Sequence, residues 1–253
     1  MARAITLKSR KEIQVMRKAN RIVAETLAML GAIVAPGVTT LQLDQYAEKF
    51  ARGQGAIPAF KGYRGFPGSL CVSLNDEVVH GIPSSRTILK EGDIVSIDFG
   101  VKFEGYYGDA AVTIPVGSIS TDREMLINVT RDSLLVAVAE ARFGNRVNDI
   151  SRAVQKYVEQ HGFSVVRQFV GHGIGSQLHE PPEIPNYHRN EVTPRLLPGM
   201  VLAIEPMVNA GSYEVKVLKD GWTVVTTDHS CSAHFEHTVL VTDGEPEILS
   251  SCA

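Results

Sequence analysis

The chain repeats itself, and this constrains its fold more than any other feature. PGVTTLQLDQYAEKFARGQGA, starting at Pro36, lines up with FGNRVNDISRAVQKYVEQHGF, starting at Phe143. Leu43, Ala47, Phe50 and Gly55 fall on Ile150, Val154, Tyr157 and Gly162. VVHGIP from Val78 matches VGHGIG from Val170, which places His80 on His172. GDIVSIDFG from Gly92 matches GMVLAIEPM from Gly199, so Asp98 falls on Glu205. GDAAVTIPVG matches FEHTVLVTDG, so Asp109 falls on Glu236. Any one such match between short apolar runs arises freely by chance; the same order kept throughout does not.

Each half therefore reads helix, helix, His-Gly turn, strand with an acid, strand with a second acid. Ser9-Arg10-Lys11-Glu12 has capping-box form, and Ile13, Met16, Ile22, Val23, Leu27 and Leu30 follow at helical spacing. Thr121-Asp122-Arg123-Glu124 opens the corresponding stretch of the second half, with Met125, Leu126, Val129 and Leu134. The expected organisation is α+β: one domain over residues 1–253, built of halves at roughly 9–117 and 118–249.

The acids are the anomaly. Asp98 lies in Ile94-Val95-Ser96-Ile97-Asp98-Phe99, and Glu205 and Glu236 also lie in apolar, strand-like runs. Asp98 and Asp109 are symmetric about Phe103-Glu104. A hairpin closed by Lys102-Phe103-Glu104-Gly105 is expected to set them directly opposite each other, with Cβ atoms about 5 Å apart. Two bare carboxylates that close in a half-buried sheet repel and lose hydration. A shared proton, a basic partner or a metal relieves this. Because the repeat brings Glu205 and Glu236 to equivalent places, metal is the favoured solution. Four carboxylates are neutralised by two divalent ions, and an oxygen-rich set with one imidazole suits Mn, Fe(II) or Co. A paired-metal site activates water and stabilises the oxyanion formed on a carbonyl.

The remaining features exclude more than they assign. Apolar content of 44%, charged content of 21% and a net charge of −3 without a basic block give no nucleic-acid surface. No apolar run reaches the roughly 18 residues of a membrane span. The N-terminal MARAITLKSRKE turns polar before a signal-peptide core can form. Cys71, Cys231 and Cys252 are unpatterned, which fits a reducing cytoplasm. Gly171-His172-Gly173-Ile174-Gly175 lacks the GxGxxG spacing of a dinucleotide loop.

The stretches NDEVVHGIP, GDIVSIDFG, GYYGDAAV, FVGHGIGSQLHEPP, GMVLAIEPMV and KDGWTVVTTDHSCSAHFEHTVLVT are long and occur in family order. With them the chain resembles the type I methionine aminopeptidases of the pita-bread fold, from about Ser9 to Leu249. The resemblance implies a curved antiparallel sheet with pseudo-two-fold symmetry. It implies two divalent ions (Co, Mn, Fe(II), Zn or Ni) held by Asp98, Asp109, His172, Glu205 and Glu236, with Asp109 and Glu236 shared between both. Glu205 would also accept the proton of the attacking water, while His80 and His179 would hydrogen-bond the substrate, His179 at the oxyanion. Tyr63, Phe66, Cys71 and Trp222 would form the methionine pocket, with Phe60 and Leu178 at its edge. At three of these positions family members often differ, carrying a smaller residue for Phe60, Tyr for Phe66 and Phe for Leu178. His161, His188, His229, His234 and His237 match no catalytic position and are expected to be structural or on the surface.

The implied activity is removal of the initiator methionine from nascent polypeptides whose second residue is small, by a monomeric cytoplasmic enzyme, with the ribosome as a candidate partner. The alternatives are a prolidase or aminopeptidase P-like peptidase, which usually carries an extra N-terminal domain, and a non-catalytic pita-bread binding module, which typically loses metal ligands. All five ligand positions are intact here.

Overall fold

The computed structural model describes residues 4–251, so Cys252 and the first three residues of the polar N-terminal stretch lie outside the described residues. Helix α1, Arg10–Ile33, begins at the capping box that its sequence announces: Ser9 caps the backbone of Glu12, and the Glu12 side chain returns the bond. It buries Ile13, Met16, Ala19, Val23, Leu27 and Leu30 along one face. Helix α2, Thr40–Gly53, is capped the same way by Thr39 and Gln42. Helix α3, Thr121–Glu140, starts one residue earlier than its sequence suggested. Ser120 is the cap, Thr121 is already helical, and Met125 points to solvent. Helix α4, Val147–Gln160, buries Ile150 and Val154, while α2 buries Leu43 and Ala47 at the aligned positions.

The helices cover one face of a nine-stranded sheet. Its middle is the hairpin of strands Ile94–Phe103 and Tyr106–Pro115. Strand Glu236–Leu240 joins that hairpin through Glu236 opposite Ala111. Strands Val201–Ile204, Gly171–Gly173 and Glu180–Ile184 follow outward, and every pairing is antiparallel. Alternation along Ile94–Phe103 sends Val95, Ile97, Phe99 and Val101 into the cluster under α1 and α2. Leu202, Ile204 and Val239 pack likewise with residues of α3 and α4. Each such side chain contributes about 1.5–3 kcal/mol by burial. The same alternation turns Asp98 away from α1 and α2.

The hairpin register differs from the expected one. Asp98 pairs with Ala111 and Asp109 with Gly100, so the two aspartates share a face but stand diagonally. The reason is the turn. Phe103 pairs with Tyr106, leaving Glu104 (φ 47°) and Gly105 (φ 90°) as the two central residues. A two-residue turn of this hand needs positive φ at both positions, which Gly105 provides at no steric cost and Phe103 would not.

Candidate active site

The diagonal aspartates need room, and a missing side chain supplies it. A Cβ on Gly100 would come within 2.9 Å of Asp109 Oδ1 and equally close to the Phe60 ring. The Asp109 backbone is pinned from both halves of the chain: its N–H lies 3.3 Å from Asn20 Oδ1 in α1 and from Thr238 Oγ1, and Thr238 Oγ1 donates to its carbonyl at 2.7 Å. Glu236 heads the adjoining strand, and Glu205 follows directly on Val201–Ile204.

His172 is flanked by glycines that let its strand approach its neighbours. A Cβ on Gly171 would sit 2.4 Å from the Ala203 carbonyl oxygen, and one on Gly173 would sit 2.2 Å from that of Pro181. The His172 Nδ1 lies 2.9 Å from the Gly173 carbonyl oxygen, which can only accept, so the proton is on Nδ1 and Nε2 is bare. That Nε2 faces Glu205 Oε1 at 3.5 Å. Ligand atoms of Asp109, His172 and Glu236 all lie within 4.8 Å of one another.

These five residues line one cavity of about 860 Å³, open mouth included. His80, His179, Tyr63, Phe66, Cys71, Trp222, Phe60 and Leu178 line it too, so the structure brings every sequence-predicted site residue to one place. His80 and His172, aligned in sequence, are not equivalent in structure. His172 is in a strand, whereas His80 occupies a left-handed turn (φ 61°) with its ring edge-on to Phe169 and Trp222. Phe66 meets Trp222 edge-on at 5.2 Å, and Tyr63 reaches His179.

Sequence reasoning missed Phe169, Met207 and His234, which also line the cavity. His234 was expected to be structural or superficial. It is buried, and its Nε2 has no hydrogen-bond partner. His234 and Met207 pair with each other across two strands of a separate small sheet, so their closeness to Glu236 and Glu205 in sequence does not by itself place them in the cavity. Other histidines fill the structural roles expected of them. His161 Nδ1 meets the Tyr157 carbonyl at the end of α4, His229 pairs with Asp76, and His237 bonds Ser250.

Burial dominates the electrostatics. It pushes Asp98 up to about 7. Burial raises Asp109, Glu205 and Glu236 well above the usual carboxylate range, and their mutual repulsion adds to it. It lowers His172 to about 3 and His80 to about 4, so both imidazoles are neutral. The Cys71 thiol, opposite Asp98, is pushed up by burial and then by that carboxylate. Asp98 Oδ1, Asp109 Oδ1 and Glu236 Oε1 are enclosed and have no hydrogen-bond partner. Enclosed carboxylate oxygens without donors, beside a bare imidazole nitrogen that faces another carboxylate, form a set that divalent cations complete.

The profile of Metallopeptidase family M24 matches residues 14–243. Methionine aminopeptidase 1 of Bacillus subtilis is 56% identical over 97% of this chain and 99% of its own length. The methionine aminopeptidase of Clostridium acetobutylicum is 53% identical, over 98% and 99%. The chain belongs to the methionine aminopeptidases of metallopeptidase family M24. The crystal structure of the family member from Thermotoga maritima superimposes with a TM-score of 0.97 at 44% identity, over 98% of this chain and all of that one. A prolidase from Pyrococcus furiosus has the same pita-bread fold, with a TM-score of 0.80 at 22% identity; it matches 98% of this chain but only 66% of the prolidase. The family is one of metal-dependent hydrolases, and the acid-lined cavity gives divalent metal a place in this member.

Proposed function

We propose that the chain removes the N-terminal methionine of polypeptides whose second residue is small, using two divalent ions held by Asp98, Asp109, His172, Glu205 and Glu236. The observation that carries this reading is the set of enclosed, donor-less carboxylate oxygens on Asp98, Asp109 and Glu236. Metal in such a site supplies Lewis acidity toward the scissile carbonyl and acidifies a water. The protein supplies the rest. Glu205 accepts the proton of the attacking water on a carboxylate oxygen. His179 donates to the carbonyl oxygen as negative charge develops there, and His80 hydrogen-bonds the scissile amide. The thioether lies among Tyr63, Phe66, Cys71 and Trp222, whose aromatic and soft surfaces suit an unbranched side chain.

The second residue is assigned to the part of the cavity wall formed by His80, Phe169 and Met207. A bulky second residue would push the carbonyl carbon out of line, and a displacement of about 1 Å can cost on the order of a hundredfold in rate. Nascent chains in the cytoplasm are the expected substrates. No helix among the described residues is long and apolar enough to cross a membrane.

The test compares kcat/KM for Met-Ala-Ser, Met-Leu-Ser, Leu-Ala-Ser and Ala-Pro-Ser after reloading stripped protein with a single metal. Met-Ala-Ser should exceed the other three by at least about a hundredfold. Equal cleavage of Met-Leu-Ser would replace the reading with a broad aminopeptidase, and preference for Ala-Pro-Ser with a proline-directed one.

A further inference from the structure

The Tyr63 ring is one wall of the cavity, but its hydroxyl is not spent on packing. Tyr63 Oη lies 2.8 Å from His179 Nδ1, and the two rings are 5.3 Å apart with an interplanar angle of 32°. The hydroxyl is carried by a short turn, Tyr63–Gly65, whose backbone is tied down. Tyr63 N–H donates to the Phe60 carbonyl, Phe66 N–H to that of Tyr63 and Gly62 N–H to that of Phe66, all at 2.8–3.0 Å. Gly62 and Gly65 take positive φ on either side of Arg64, which does the same despite its side chain. The Arg64 guanidinium sits over the Tyr63 ring, 5.4 Å from its centre. The turn is thus fixed by backbone bonds and by the buried Phe66 beside it.

A neutral imidazole carries one proton, and the nitrogen that holds it determines what the other can do. With the proton on Nδ1, His179 would donate to Tyr63, and Nε2 would present only a lone pair to a developing oxyanion. With the proton on Nε2, Tyr63 donates to Nδ1, and Nε2–H is a donor. A phenolic hydroxyl is a good donor and, with its lone pair delocalised into the ring, a poor acceptor. Tyr63 Oη has no other hydrogen-bond partner among the described residues. We infer that Tyr63 is a positioning residue: its hydroxyl donates to His179 Nδ1, locks the tautomer with the proton on Nε2, and aims that N–H at the scissile carbonyl oxygen. The inference rests on the proposed peptidase reading and adds a task to Tyr63 beyond lining the methionine pocket. His172 is the counterpart: the Gly173 carbonyl fixes its opposite tautomer, leaving Nε2 bare. Two neighbouring imidazoles, 4.3 Å apart, are thereby set one as acceptor and one as donor.

The experiment is a double-substitution cycle on the metal-loaded enzyme with Met-Ala-Ser, joined to nitrogen NMR of the His179 ring in zinc-loaded protein. Tyr63→Phe should lower kcat about tenfold, the upper end of what one hydrogen bond contributes, and leave KM within about twofold. In a His179→Ala background the same substitution should cost nothing further, because a positioning role disappears with the group positioned. A role confined to pocket shape would instead persist there and appear in KM. The NMR spectrum should show the proton on Nε2 in the wild type, with the other tautomer rising in Tyr63→Phe. Unchanged kcat in Tyr63→Phe, an undiminished effect in the His179→Ala background, or a proton on Nδ1 in the wild type would each overturn the inference. An enzyme that fails to cleave Met-Ala-Ser at all would overturn the peptidase reading instead, and the tautomer would still be read from the spectrum.

Discussion

At the scale of single residues, the cavity separates groups that hold charge from groups that only orient. Glu205 is assigned both tasks, ligand and proton acceptor, whereas His80 only hydrogen-bonds substrate. Glu205→Gln should therefore lower kcat/KM for Met-Ala-Ser by on the order of a thousandfold or more, and His80→Ala by clearly less, at matched metal occupancy. Equal losses would reverse the roles. Gly100→Ala puts a methyl against Asp109 Oδ1 and Phe60. It should weaken metal binding, read by calorimetry, more than it lowers the melting temperature. The acids were legible in the sequence because a carboxylate amid β-branched residues is out of place and because its repeat partner was another acid. His234 was not, because a histidine near a strand is usually satisfied by the backbone, and only its neighbours in space show that this Nε2 has no partner.

At the scale of elements, the repeat gave the helices and the order of the strands, but not the registers. Capping boxes at Ser9 and Thr39 were readable because the chemistry is local. The hairpin is offset by one residue on each strand from the register that symmetry about the acids predicts, because the turn preference of Gly105 sets it. The His80 turn and the His172 strand diverge although their sequences align: His80 takes positive φ at the end of its strand, whereas His172 pairs on both sides, with Glu183 and Ala203. One link between elements was invisible beforehand. Lys8, ahead of α1, pairs with Glu180 at 2.6 Å, both side chains under a tenth exposed, which ties the N-terminal segment to the loop carrying His179. Glu180→Gln strands a buried ammonium and should cost about 3–5 kcal/mol in urea unfolding. A loss below about 1 kcal/mol would mean that water reaches Lys8.

For the whole molecule, the site exists only where the two halves of the chain meet. Asp98 and Asp109 come from one hairpin, His172, Glu205 and Glu236 from the other half, and the seam is the Glu236–Ala111 pairing. The division at roughly 9–117 and 118–249 is the repeat unit we propose. In metal-stripped protein the folded state holds protons on the carboxyls that the unfolded chain has lost. Asp98, pushed up to about 7 from an ordinary 3.8, makes the stripped fold lose stability as pH rises from about 4 to about 7. The others, raised further by burial and repulsion, extend that loss to higher pH. The buried neutral histidines oppose this below their ordinary value of 6.5, where the unfolded chain holds protons that they do not. The melting temperature of stripped protein should therefore fall above pH 7, as the remaining carboxyls ionise, while the loaded protein, its carboxylates neutralised, should not follow it; parallel curves there would mean that the cluster is hydrated.

The most direct test titrates stripped protein with manganese or cobalt, reading bound ions, released protons and Met-Ala-Ser hydrolysis in the same samples. Binding should release protons, because ligation ionises the carboxyls. Activity should rise with the first ions bound, saturate at no more than two per chain, and vanish with chelator. Full hydrolysis by exhaustively stripped protein, or ions bound without proton release or activity, would contradict the account.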